Sequence, residues 1–107
     1  MSNIYYDPEK FGLEVVDTVD AGHSYEFDIL ALFRRGDNFY IGADSGCSCP
    51  MPFEGVGVND LTDISNLGSL LDEVATWADL AWNDEDHKKR ASLGNEIVLA
   101  YQEARKK

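Results

Sequence analysis

Two cysteines, Cys47 and Cys49, lie one residue apart in the stretch GADSGCSCPMPFEG, residues 42 to 55 of a 107-residue chain, and no other thiol occurs. Cys-x-Cys supplies two soft metal ligands, but structural zinc takes four, usually from Cys and His. The histidines on offer are His23 and His87, with Asp44 as an oxygen ligand, so Cys47, Cys49 and His23 make an incomplete zinc set. A disulfide across one residue closes a small, strained ring, and Asp44 and Glu54 disfavour a nearby thiolate. A cysteine nucleophile with His23 as base lacks a nameable orienting group and oxyanion hole. The remaining reading is structural. Gly42 and Gly46 permit close backbone approach, Pro50 and Pro52 stiffen the chain, and Phe53 anchors a loop that packs over the core or presents a surface. On that reading the loop residues Asp44, Gly46, Cys47, Cys49, Pro50, Pro52 and Phe53 carry neither metal nor cofactor, and no catalytic residue is assigned.

The elements that must position this loop are legible as a change of period. Residues 13–20 alternate, with Leu13, Val15 and Val19 on one side and Asp17 interrupting them. Residues 24–34 alternate more clearly. Tyr25, Phe27, Ile29, Ala31 and Phe33 share one face, and Leu30 and Leu32 make the other face apolar as well, as in a strand covered on both sides. Arg35-Gly36-Asp37-Asn38 reads as a hairpin turn rather than an adhesion motif. Residues 37–43 form a third strand, with Phe39, Ile41 and Ala43 on one face. Three strands joined by tight turns make a meander, which brings the turn at 20–24 to the same end as the loop at 44–50. From residue 66 the period becomes helical. Leu67, Leu70, Leu71, Val74, Trp77, Ala78 and Ala81 fall on one stripe, with Asn66 as N-cap. Leu93, Ile97, Ala100, Tyr101 and Ala104 mark a second helix, with acids at its start and bases at its end. The expectation is a single α+β domain over 1–107: a three-stranded antiparallel meander followed by two helices, at 66–82 and 85–105, packed on one face. Phe27 and Ile29 are expected in the core, and Trp77 and Trp82 in the core or between helices.

Twenty acids against nine bases give a net charge of −11, and the signs are segregated. Between Gly36 and His87 there is no Lys or Arg, against eleven acids. Asp72, Glu73, Asp79, Asp84, Glu85 and Asp86 fall on or beside the helices and are the candidate binding residues. Such a surface repels phosphate backbones and anionic lipid, so direct nucleic-acid binding and membrane association are not expected. No apolar run nears the length of a membrane span, and the start lacks a charged and apolar leader, which together imply a cytoplasmic protein.

The segments YDPEKFGLE (Tyr6 to Glu14), YEFD (Tyr25 to Asp28) and GADSGCSCPMPFE (Gly42 to Glu54) resemble those of a family of small bacteriophage proteins from actinobacterial hosts, a domain of unknown function. The resemblance covers most of the chain. It implies a viral accessory protein acting in the host cytoplasm and assigns no activity. With the acidic surface, the expected role is binding a basic host protein, of the host-takeover or anti-defence type, without enzymatic activity. The alternative is a small zinc- or thiol-dependent protein built on Cys47 and Cys49.

Overall fold

The doubly apolar strand sits at the centre of the sheet. β2 (Glu26–Arg35) pairs antiparallel with β1 (Glu14–Asp20) on one side and with β3 (Asn38–Cys47) on the other. The architecture is that of a computed structural model, which describes residues 3–22, 26–47 and 52–106. Arg35 lies opposite Asn38 across Gly36 and Asp37, and Gly36 has φ +60°. A glycine with positive φ at the first turn position suits a hairpin whose strands twist right-handedly. The Arg-Gly-Asp triplet is therefore a turn.

Both faces of β2 are covered. Leu30 and Leu32 pack with Val19, Phe39 and Ile41 under Leu70, Val74 and Trp77 of α1 (Leu67–Asp79) and Ile97 and Tyr101 of α2 (Asp84–Arg105). Ile29, Ala31 and Phe33 point the other way, where neither α-helix lies. There they pack with Ile4 and Leu13 from the N-terminal segment and Phe53 from the long crossing after β3. Phe27 is half-buried at the margin of this second core, while Ile29 is fully inside.

The expected three strands are corrected to four. A short β4 (Thr62–Ile64) extends the order to β1-β2-β3-β4, placing Ile64 opposite Phe39 and Thr62 opposite Ile41. Three residues are too few to show alternation, and their pairing is with distant sequence, so no local pattern marks them. β1 departs from simple alternation as well. Val15 lies opposite Phe33 and Asp17 opposite Leu32, leaving Val16 as the extra residue of a β-bulge. The bulge turns Leu13 and Val15 toward the second core, but Val16 and Val19 toward the helices. This reconciles neighbouring valines that a period of two cannot.

The helices begin where the side chains say they should. Asn66 Oδ1 accepts from Ser69 N at 2.8 Å, and Ser69 Oγ accepts from Asn66 N at 3.2 Å, a reciprocal cap. Asn83 Oδ1 accepts from Asp86 N at 2.8 Å at the start of α2. α1 stops at Asp79, three residues earlier than the stripe implied, and residues 80–83 form the turn into α2. None of the described helices is long and apolar enough to cross a membrane.

Gly94 marks the close approach of α1 and α2. A Cβ there would collide with Val74 Cγ1, so the residue that weakens the isolated helix is the one that lets the helices pack. Gly94→Ala gains about 1 kcal/mol of helix propensity, while overpacking costs about 1–3 kcal/mol. A net loss in urea unfolding is expected, largely recovered when Val74→Ala is added. A Gly94→Ala variant more stable than the parent would contradict this packing.

Candidate functional site

The loop that opened the chemical question is held by one carboxylate. Asp44 leaves β3 on the second-core side, and its Oδ2 accepts from Phe53 N at 2.7 Å. Phe53 has φ +63°, a left-handed conformation that costs a non-glycine residue roughly 1–2 kcal/mol. Its ring is wholly buried, stacked on Tyr5 at 5.2 Å and edge-on to Phe33 at 6.1 Å. Burial of such a ring contributes about 1.5–3 kcal/mol, enough to offset the strain. Buried Asn3 donates from Nδ2 to the Pro52 carbonyl at 3.2 Å, while its Oδ1 accepts from Tyr5 N and Tyr6 N at 2.9 and 2.7 Å. The described parts of the segments that carry the sequence resemblance thus meet in the second core, through Phe11, Leu13, Phe27 and Phe53. For Asp44, Pro52 and Phe53 that role is structural.

At the end of the sheet where β3 leaves, three connections converge: the one from β1 to β2, the exit of β3, and the turn from α1 to α2. Cys47 lies opposite Glu26 and Gly46 opposite Phe27, so the start of β2 and the end of β3 adjoin, as a meander requires. His23, Cys49 and Pro50 lie outside the described residues. Among the described residues no group of three His, Cys, Asp or Glu side chains is placed to hold a metal. The connections border a cleft of about 390 Å³ lined by Gly22, Phe27, Asp28, Gly46, Trp82 and Arg90.

Arg90 is the rivet of this cleft. It forms an ion pair with Asp28 through Nη2, donates from Nη1 to the Trp77 carbonyl at 2.6 Å, and lies 5.1 Å over the Trp77 ring. The two charged side chains are only 14% and 18% exposed. Asp20 Oδ1 accepts from both Gly22 N (2.8 Å) and Asp28 N (2.9 Å), fixing the backbone that presents Asp28. With two donors and its guanidinium face engaged, Arg90 ties α2 to β2 and to the end of α1. It is a structural residue of the cleft, and sequence reading did not single it out.

The six candidate acids separate into groups. Asp79, Asp84, Glu85 and Asp86 gather around the turn between the helices. His87 Nε2 and Asp79 Oδ1 are 3.0 Å apart across that turn. Asp72 lies on the same stripe of α1 as Asp79, about 10 Å back along the axis at the helical rise. Glu73 turns away, half-buried, toward the β3–β4 side.

In the midst of the first group stands Trp82. It is 97% exposed, and Leu80 beside it is 68% exposed. This corrects the expectation that Trp82 lies in the core or between helices. The helical stripe assumed α1 runs on to residue 82, whereas the turn breaks the phase. A signal was present: with Asn83 as N-cap, Trp82 precedes the helix and would staple to the fourth helical residue, but that residue is His87 rather than an apolar one. Among the described residues the indole is left without a packing partner.

The chain belongs to a family described as a domain of unknown function, DUF7574, whose model matches residues 2–104. No curated protein and no solved structure matches it.

Two variants separate structure from surface here. Asp44→Ala removes the tie on a strained, buried Phe53 and is expected to lower stability by about 1.5–3 kcal/mol, the range for a hydrogen bond to a charged group. Trp82→Ala, at a position without packing, should stay within about 0.5 kcal/mol of the parent. Thermal and urea unfolding check both. A destabilised Trp82→Ala would mean that the indole packs.

Proposed function

We propose that this protein is a small binding module that docks its acidic tip on a basic surface of another protein, with Trp82 as anchor. In the phage setting implied by the sequence resemblance, the partner is a host protein and the role is host takeover or countering of host defence. The observation that carries the reading is a tryptophan standing almost fully in water in a turn that Asp79 precedes and Asp84, Glu85 and Asp86 follow. An indole offers large rigid contact area and is among the side chains that dominate interface energies when desolvated. A net charge of −11 supports complementarity to a basic surface and long-range steering. Lys88 and Lys89 follow in the next turn of α2, but Lys89 Nζ reaches back to the Gly22 carbonyl at 3.4 Å and Arg90 is paired with Asp28. The same surface opposes nucleic acid and anionic lipid, which places protein ahead of either as the partner.

The test is kinetic. With a basic partner identified by capture from host extract, association should slow as salt rises. Reversal of Asp72, Asp79 and Glu85 to Lys should lower the association rate about tenfold or more at low salt. Trp82→Ala should instead speed dissociation, by about 30-fold for an interface anchor. Rates indifferent to salt, to the reversals and to Trp82 would reduce the acidic tip to a solubilising surface.

A further inference from the structure

Just beyond β4 the sheet has an open edge beside an apolar groove. β4 pairs with β3 only over residues 39–41, so among the described residues the ladder has β2 alone beyond Gly42, which is buried, while Ala43 and Ser45 are exposed. Between this edge and α1 lies a groove of about 160 Å³, with Leu30, Ile41, Trp77 and Leu80 among its walls and Asp60 and Glu73 at hand. Asp60 Oδ2 accepts from Gly57 N at 2.8 Å. Glu73 is half-buried, yet its carboxylate has no hydrogen-bond or ion-pair partner among the described residues.

We propose that this groove receives one lysine or arginine side chain from an extended segment of the basic partner, which adds as a strand beside residues 43–45 of β3. The proposal rests on the reading of the acidic tip as a protein-docking surface, and it adds the form in which the partner is read. Charge complementarity chooses the occupant. Lys and Arg have long apolar stems that can lie along Leu30, Ile41 and Leu80 while the head reaches Glu73 and Asp60. An apolar side chain would dehydrate Glu73 without pairing it, and an acidic one would be repelled. Strand addition supplies affinity through the backbone, and the groove selects the side chain. A second copy of the chain is a poor occupant, because two molecules each carrying −11 repel.

The experiment needs no identified partner. The full-length ¹⁵N-labelled protein is titrated with two capped pentapeptides, Thr-Val-Arg-Val-Thr and the same peptide with Gln in place of Arg. The Arg peptide should shift the amides of residues 43–45 and of Glu73 and bind about tenfold more tightly than the Gln peptide. Glu73→Gln should abolish most of that preference without moving the thermal midpoint. Thr76→Arg, at an exposed α1 position lining the groove, should block the Arg peptide. No binding at millimolar peptide, shifts confined to another face, equal affinity for the two peptides, or a preference that survives Glu73→Gln would each overturn the proposal. Those results would leave the Trp82 contact standing, since partner kinetics test it separately, and a failure of the Trp82 contact would leave the peptide preference measurable.

Discussion

A central strand that is apolar on both faces must be covered twice, and most of this molecule answers that constraint. Leu30 and Leu32 call for the two helices. Ile29, Ala31 and Phe33 call for a second cover, and neither α1 nor α2 packs on that side. The N-terminal segment and the crossing after β3 do that work with single side chains: Ile4, Leu13 and Phe53. A cover built from irregular backbone must satisfy its own polar groups. Hence Asn3 bonds both its own turn and Pro52, and Asp44 holds the Phe53 amide across nine residues. The stiff stretch that looked like a site for chemistry is, in its described part, a lid on the sheet.

What the sequence made legible followed from local physics. Alternation marked β2, Asn66 capped α1, and the acids and bases at the two ends of α2 matched its dipole. What stayed hidden depended on distant partners. β4 is defined only by its pairing with β3, and the bulge at Val16 only by its register with β2. Gly94 looked like a flaw in α2 until Val74 of α1 was seen against it. Of the candidate site, the acids were legible as charge, but not their division. Asp79, Asp84, Glu85 and Asp86 come together because a short turn folds the helix ends toward each other, while Glu73 faces a groove that does not exist until the sheet edge forms.

The division of labour between the two ends of the molecule links packing to function. Arg34 donates to the Ala104 carbonyl and Arg35 to the Phe11 carbonyl, so at the hairpin end basic side chains serve as struts. At the opposite end the strut is the pair of Arg90 and Asp28, set beneath the exposed start of α2. That partly buried pair holds the end of α1 and the start of α2 in register, and the turn between them can then expose Trp82 without support from the core. An exposed indole costs the fold little and offers a partner a large apolar contact, provided the scaffold beneath it is rigid.

The central claim is that Trp82, and not Trp77, is the contact made on docking. Acrylamide quenching of tryptophan fluorescence reads it directly, with a tryptophan-free partner surface or a partner whose own tryptophans are replaced by phenylalanine. In the free protein one tryptophan should be freely quenched and the other protected, matching 97% and 4% exposure. The account predicts that saturation with the basic partner protects the accessible tryptophan and leaves the buried one unchanged. An accessible tryptophan that quenches equally well in the complex would contradict it.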